Sequence, residues 1–205
     1  MKRAPLNVVI LAAGKGTRMH SGLPKALHAI GGKPMLGHVL ERASALRADC
    51  TIVVYGYGGE VVPSTFGSTA VKFVRQEPQL GTGHAVQQAL PHLRAGGTTL
   101  VLYGDVPLTR EATLENLISR PGLRLLTATL GDPAGYGRIV RDNSGSIVRI
   151  VEEKDATARE KGIREINTGI LCAPTDLLHH WLSKLTNRNA QKEYYLTDVV
   201  PLAIA

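Results

Sequence analysis

Val8-Val9-Ile10-Leu11-Ala12-Ala13-Gly14-Lys15-Gly16-Thr17-Arg18-Met19 decides how this chain is read. Four apolar residues, three of them β-branched, give a strand with no polar face, as in a parallel sheet covered by helices on both sides. The strand runs straight into small residues and two glycines. Such a loop lets the backbone approach a ligand closely and aims N–H groups at anionic oxygens. Its spacing matches neither common phosphate-binding fingerprint. Met19 stands where Gly-x-Gly-x-x-Gly needs its third glycine, and no Gly-Lys-Ser/Thr closes a P-loop. Dinucleotide and Walker-type ATP sites are therefore disfavoured, and a nucleotide loop of another kind remains.

Working outward, strand-like runs recur at Thr51–Tyr55, Val71–Val74, Thr99–Tyr103 and Leu123–Ala128. Between them lie stretches of helical period. Met35, Leu36, Val39, Leu40, Ala43 and Leu46 form one apolar stripe. A second helix is expected over Thr82–Leu93 with Thr82 as its cap, and a third around Ala112–Ile118 capped by Thr109. This alternation predicts right-handed βαβ units and an α/β fold, a doubly wound, mostly parallel, Rossmann-like sheet. After about residue 130 the pattern changes. Gly137–Arg141 and Ile147–Val151 flank the turn residues Asp142-Asn143-Ser144-Gly145, which reads as an antiparallel β-hairpin insertion. A strand at Ile166–Cys172 and an amphipathic helix carrying Leu177, Leu178, Trp181, Leu182 and Leu185 follow. Ligands of open α/β sheets bind beyond the carboxyl ends of the strands, so the segments after Leu11, Arg75 and Tyr103 and around Asn167 are the places to inspect.

Composition narrows the function classes. With 43% hydrophobic and 20% charged among 205 residues, the chain is of ordinary globular type and not disordered. No apolar run approaches the ~20 residues that span a bilayer. Met1-Lys2-Arg3-Ala4-Pro5 leads into the first strand with no cleavage site of a signal peptide. Cys50 and Cys172 lie far apart, which disfavours a disulfide scaffold and a zinc ribbon and makes a reducing cytoplasm the natural compartment. The net charge of +7 is unevenly spread. Lys2, Arg3, Lys15, Arg18, Lys25 and Lys33 all precede the first acid, Glu41. That concentration points to a local anion site, with Lys2 and Arg3 as a solvated terminus. A nucleic-acid binder would spread its bases over a face and carry more than 4% aromatics for stacking, so no nucleic-acid partner and no membrane is expected.

Taken further, Leu-Ala-Ala-Gly-x-Gly-Thr-Arg-Met followed by Leu23-Pro24-Lys25 resembles the signature of sugar-1-phosphate nucleotidyltransferases. Gln76-Glu77-Pro78-Gln79-Leu80-Gly81-Thr82-Gly83-His84-Ala85, Leu102–Leu108, Asp132–Ile139, Ile150–Ala156, Glu165–Gly169 and Asn189–Asp198 continue the match in order. Together they resemble the uridylyltransferase domain of the bacterial GlmU family, whose members join an N-acetylglucosamine-1-phosphate uridylyltransferase to a glucosamine-1-phosphate acetyltransferase.

The resemblance implies a reaction of UTP with N-acetylglucosamine 1-phosphate to give UDP-N-acetylglucosamine and pyrophosphate, by in-line attack of the sugar phosphate with no covalent nucleophile. It places Leu11, Ala12, Ala13 and Gly14 against the nucleotide, Arg18 and Lys25 on the phosphates as catalytic residues, and Gln76, Gly81 and Thr82 on the uracil. Tyr103 and Gly104 would line the nucleotide, and Asp105 would be catalytic and hold Mg2+. Gly137, Glu152 and Asn167 would bind the sugar, with Tyr195 and Thr197 nearby. The residue types suit these tasks: an amide offers donor and acceptor to a base edge, and magnesium takes one or two carboxylates plus phosphates. Taken alone, Gln76 also reads as a polar strand end, Asp105 as a turn before Val106-Pro107, and Glu152 as a solvated hairpin residue. His84 reads as helix packing or capping, and Cys172 and Trp181 as core.

Two departures stand out. Lys192 replaces a glycine usual in the family's Asn-Ala-Gln-Gly-Glu-Tyr-Tyr segment, which predicts an altered loop there. The family pattern also continues past the position of Ala205, into an Asn that shares the metal and then a left-handed β-helix for acetyl transfer and trimerisation. The expectation is thus one nucleotidyltransferase domain over 1–205, C-terminally incomplete, monomeric, and without acetyl-CoA binding. Either it is a working uridylyltransferase, the favoured reading, or it binds UDP-sugar with little turnover; another sugar 1-phosphate is a further alternative.

Overall fold

The computed structural model describes residues 3–14, 16, 19–67 and 70–205. Its strands in chain order are β1 (Leu6–Ala12), β2 (Ala29–Ile30), β3 (Lys33–Pro34), β4 (Cys50–Tyr55), β5 (Lys72–Arg75), β6 (Thr98–Tyr103), β7 (Arg124–Thr129), β8 (Arg138–Arg141), β9 (Ile147–Val151) and β10 (Glu165–Pro174). Its α-helices are α1 (Met35–Ala45), α2 (Val61–Phe66), α3 (Thr82–Ala89), α4 (Glu111–Ile118), α5 (Ala158–Lys161), α6 (Thr175–Leu182) and α7 (Val199–Ile204).

Seven strands follow in the order β5-β4-β1-β6-β10-β8-β9, with β7 also paired to β10; β2 and β3 pair separately. The β5, β4, β1 and β6 ladders are parallel, and β10 joins β6 antiparallel. Every residue of β1 is buried. Val8, Ile10 and Ala12 pack on one side with Leu36 and Val39 of α1, Val62 of α2 and Leu114 of α4. Val9 and Leu11 pack on the other with Val86 of α3, Leu178 and Trp181 of α6 and Val199 of α7. Alternate side chains thus feed two apolar layers, which is why Val8–Leu11 reads as an unbroken apolar run. The doubly wound α/β expectation holds. The later hairpin, β8 with β9, extends the same sheet through β10.

Helix ends depart from the reading. Neither Thr82 nor Thr109 caps a helix: the cap positions belong to Gly81 and Arg110, without side-chain caps. Thr82 Oγ1 instead accepts the Leu196 N–H at 3.0 Å, a partner supplied by tertiary contact. The second helix is α-helical only to Ala89 and continues as a 3-10 turn over Leu90–His92. Pro91 lacks the N–H that the next α-helical bond requires.

Candidate functional site

The carboxyl ends of β1 and β6 lie side by side, because Leu11 pairs in register with Tyr103. Just past β6, the Gly104 N–H donates to Leu11 O at 2.9 Å, which brings Asp105 to the mouth of β1. Lys25, on a short 3-10 turn over Lys25–Leu27, forms an ion pair with the Asp105 carboxylate. Gly16 passes against this lysine. A Cβ built on it would sit 2.8 Å from Lys25 Cβ, and its φ of +63° lies in the left-handed region, so the glycine loop is held close over Lys25 by a residue that must lack a side chain. Leu11, Ala12 and Ala13 are buried beneath the loop and Gly14 is exposed on it. Arg18 lies outside the described residues.

Of the six lysines and arginines that precede Glu41, the described ones other than Lys25 pair with acids away from this site. Arg3 bonds Asp49 at 2.8 Å and Lys33 pairs with Glu41. The Arg3 contact also corrects its reading as a merely solvated terminus: Asp49, just before β4, ties it down. Among the described residues Lys25 alone of the six faces Asp105, since Lys2, Lys15 and Arg18 fall outside them.

A second wall comes from the antiparallel half. Asn167 N–H donates to Gly137 O at 2.8 Å, and Gly169 N–H to Asn167 Oδ1 at 3.0 Å. Between Asn167 and Leu171 the register of β10 against β7 shifts, and such a bulge re-aims side chains. Gly169 occupies it with φ +87°, where a Cβ would come within 2.5 Å of the Tyr103 ring. Only glycine lets the bulge lie on that ring. Glu152 lies below Gly137, its Oε2 3.3 Å from where a Cβ on that glycine would stand. The Thr197 hydroxyl donates to Glu152 Oε1 at 3.0 Å. Burial, reinforced by the nearby charges of Asp198 and Asp155, raises the Glu152 pKa above the usual glutamate value. Tyr103 links the two walls. Its phenol is held protonated by burial and by the neighbouring charges of Glu152 and Asp105. An open groove of about 730 Å³ runs beside Asp105 to Tyr136.

The third element is the loop after β5. Gln76 is 4% exposed, and its Nε2 donates to Gly81 O at 2.9 Å and lies 3.1 Å from His84 Nδ1. Its donor is therefore engaged within the protein. His84 does not cap α3, which begins at Thr82; it lies half-buried in the first turn of the helix, its ring beside Gln76 and Tyr194. Cys172 and Trp181 are core, as read.

Two features were missed from sequence. Arg138, only 1% exposed, bonds Glu153 Oε2 at 2.7 Å and also Tyr136 O. Glu153 Oε2 in turn accepts the Gly135 N–H at 3.2 Å. This clamp sets the Gly135–Gly137 turn over Glu152. An arginine inside a hairpin strand reads as solvent-facing, so nothing in the pattern singled it out. The other feature is Thr197, recognised only as near the pocket, which orients Glu152. The altered loop expected at Lys192 is closed: Lys192 itself takes φ +56°, the left-handed conformation that glycine adopts freely, and its N–H donates to Asn189 O at 3.1 Å.

Comparison with known proteins bears on this arrangement. The family model of the MobA-like NTP transferase domain matches residues 8–139. The bifunctional protein GlmU of Dechloromonas aromatica is 57% identical over 202 residues, covering 98% of this chain and 45% of that protein. GlmU of Nitrosospira multiformis is 58% identical over 203 residues, covering 97% of this chain and 44% of that protein. The chain thus spans just under half the length of these relatives. A UDP-glucose pyrophosphorylase solved with UDP-glucose superposes with a TM-score of 0.79 at 16% identity, over 98% of this chain and 87% of that one. Among the described residues no helix is long and apolar enough to cross a membrane.

Proposed function

The chain belongs to the MobA-like NTP transferase family, as a nucleotidyltransferase of the GlmU type, and from that premise we propose that it makes UDP-N-acetylglucosamine and pyrophosphate from UTP and N-acetylglucosamine 1-phosphate. The observation that carries this reading is the meeting of Lys25 and Asp105 where β1 and β6 end side by side. A cation and a carboxylate at a glycine-lined strand mouth suit a triphosphate: the lysine takes phosphate charge, and the backbone loop over Leu11–Gly14 offers N–H groups. Magnesium fits Asp105, because a single half-buried carboxylate beside a phosphate site is the donor set this ion accepts when substrate oxygens and water complete its shell. When bound, the ion neutralises charge on the triphosphate.

The chain's own residues then do three things. The turn at Gly137, with Glu152 and Asn167, holds the sugar by its hydroxyls, Glu152 accepting and Asn167 Nδ2 donating. Tyr103, kept neutral, separates the Glu152 and Asp105 carboxylates without adding charge. Gln76 and Gly81 meet the uracil. The sugar phosphate oxygen then attacks the α-phosphorus in line with departing pyrophosphate, so positioning and charge stabilisation carry the rate. Pyrophosphate release measured with the four ribonucleoside triphosphates and dTTP, each against several sugar 1-phosphates, with and without magnesium, tests this. The expected result is a magnesium-dependent optimum for UTP with N-acetylglucosamine 1-phosphate. A preference for dTTP with glucose 1-phosphate would overturn the substrates.

A further inference from the structure

Gln76 is almost wholly buried, so the way its amide faces decides what a base can find there. Its terminal nitrogen lies 2.9 Å from Gly81 O. A carbonyl only accepts, so the group turned toward Gly81 is the amino group. The same amino group lies 3.1 Å from His84 Nδ1, which must therefore present a lone pair. A neutral ring with a lone pair on Nδ1 carries its proton on Nε2; Gln88 Nε2, one helical turn on, stands 3.0 Å from that nitrogen, and since two donors cannot pair, this tautomer requires the Gln88 amide to turn its oxygen toward the ring. Tyr194 packs beside the imidazole with ring centroids 6.4 Å apart. Burial lowers the His84 pKa, which keeps the ring neutral and Nδ1 an acceptor at neutral pH. Gln76 Oε1 makes no hydrogen bond to any described residue. The amide accordingly offers an acceptor and withholds its donor.

We propose that His84 is a positioning residue for base selection: together with Gly81 O it holds the Gln76 amino group, makes Oε1 the atom offered to the nucleobase, and so favours a pyrimidine with a proton on N3 over one with a lone pair there. Uracil and thymine carry that proton, and cytosine does not. A glutamine free to turn would serve either base, because its two ends have opposite hydrogen-bonding character. His84 touches no substrate; it acts through Gln76. The inference rests on the nucleotide site proposed above.

The test compares wild type, His84→Leu and His84→Gln in the full chain. UTP, dTTP and CTP are titrated by calorimetry, and KM and kcat are measured by pyrophosphate release. Thermal unfolding of each variant is followed in parallel. Wild type is expected to bind UTP and dTTP more tightly than CTP. His84→Leu, which removes the acceptor, is expected to cut the UTP:CTP preference by about tenfold, through KM, with kcat at saturating UTP within about twofold. His84→Gln, whose side-chain oxygen can again accept from Gln76, restores the preference. An unchanged UTP:CTP ratio in His84→Leu, or an equal loss for both nucleotides, overturns the inference, as does a wild type that binds CTP as well as UTP. If wild type turns over no substrate pair, the uridylyl-transfer reading falls, and the binding ratios still decide the role of His84. Should His84→Leu fail to fold, the inference stands or falls on whether His84→Gln retains the wild-type ratio.

Discussion

In β1, β4 and β6 the inward positions are mostly aliphatic, with Asn7, Tyr55 and Thr99 as exceptions, and the groups that face the cleft, Lys25 and Asp105, sit outside the strands. In β8, β9 and β10 the corresponding work is done by polar side chains within or beside the strands: a buried Arg138 tied to Glu153, a Thr197 hydroxyl on Glu152, and a bulge at Gly169. The parallel half is rigid because two apolar layers bury it, so its loops need only small residues to bring Lys25 and Asp105 together. The antiparallel half is more exposed, and it fixes its sugar-facing turn with charge-assisted hydrogen bonds. Removing a group from the first half should therefore damage chemistry without loosening the fold. Removing one from the second should damage the binding of one substrate.

Asp105→Asn gives the largest expected effect. It keeps shape and removes the charge, and turnover should fall about 100-fold while UTP affinity changes little, since Lys25 is released from its partner. Stopped assays with parallel UTP titration check this, and unchanged turnover would remove Asp105 from the metal role. Arg138→Lys comes next. A lysine cannot span both Glu153 and Tyr136 O with a planar fork, so the turn at Gly135–Gly137 loosens. The KM for the sugar phosphate should rise about tenfold while the KM for UTP stays constant. Equal changes in both would erase the division between the two halves.

Glu152→Gln separates function from stability. The folded Glu152 holds its proton to higher pH than the unfolded chain does, so its contribution to folding weakens as pH rises from the ordinary glutamate pKa through the raised one. The variant should lose affinity for the sugar phosphate, yet melt about 2–4 °C above wild type at pH 8, with the gain vanishing near pH 4. A lower melting temperature at pH 8 would show that the Thr197 contact outweighs the cost of burying the charge. The smallest effect is expected from Lys192→Gly. Relief of the left-handed conformation should stabilise the chain by about 1 kcal/mol in denaturant unfolding, and a loss of stability would mean that the lysine side chain anchors the loop.

Much of this was legible in the residues. The nearly continuous apolar or β-branched runs of β1, β4 and β6 specified strands buried on both faces, and the turn residues at Asp142–Gly145 specified the hairpin. Asp105 could be named as a strand-end carboxylate because the loops of an open sheet follow from strand order alone. What could not be read were partners far apart in the chain. Thr82 looked like a cap, and its hydroxyl bonds Leu196. His84 looked like packing, and its ring orients Gln76. Arg138 sat in a hairpin strand with no sign that it would be buried.

The sequence by itself determined the strands, their helical crossovers and the loops at their carboxyl ends, because periodicity and turn chemistry act between near neighbours. Only the tertiary structure decided that Lys25 reaches Asp105, that Arg3 and Lys33 leave the site for acids elsewhere, and that the Gln76 amide faces one way. Those outcomes depend on which charges and hydrogen-bonding groups the packed layers bring within 3–4 Å of one another, a distance at which one partner excludes the next.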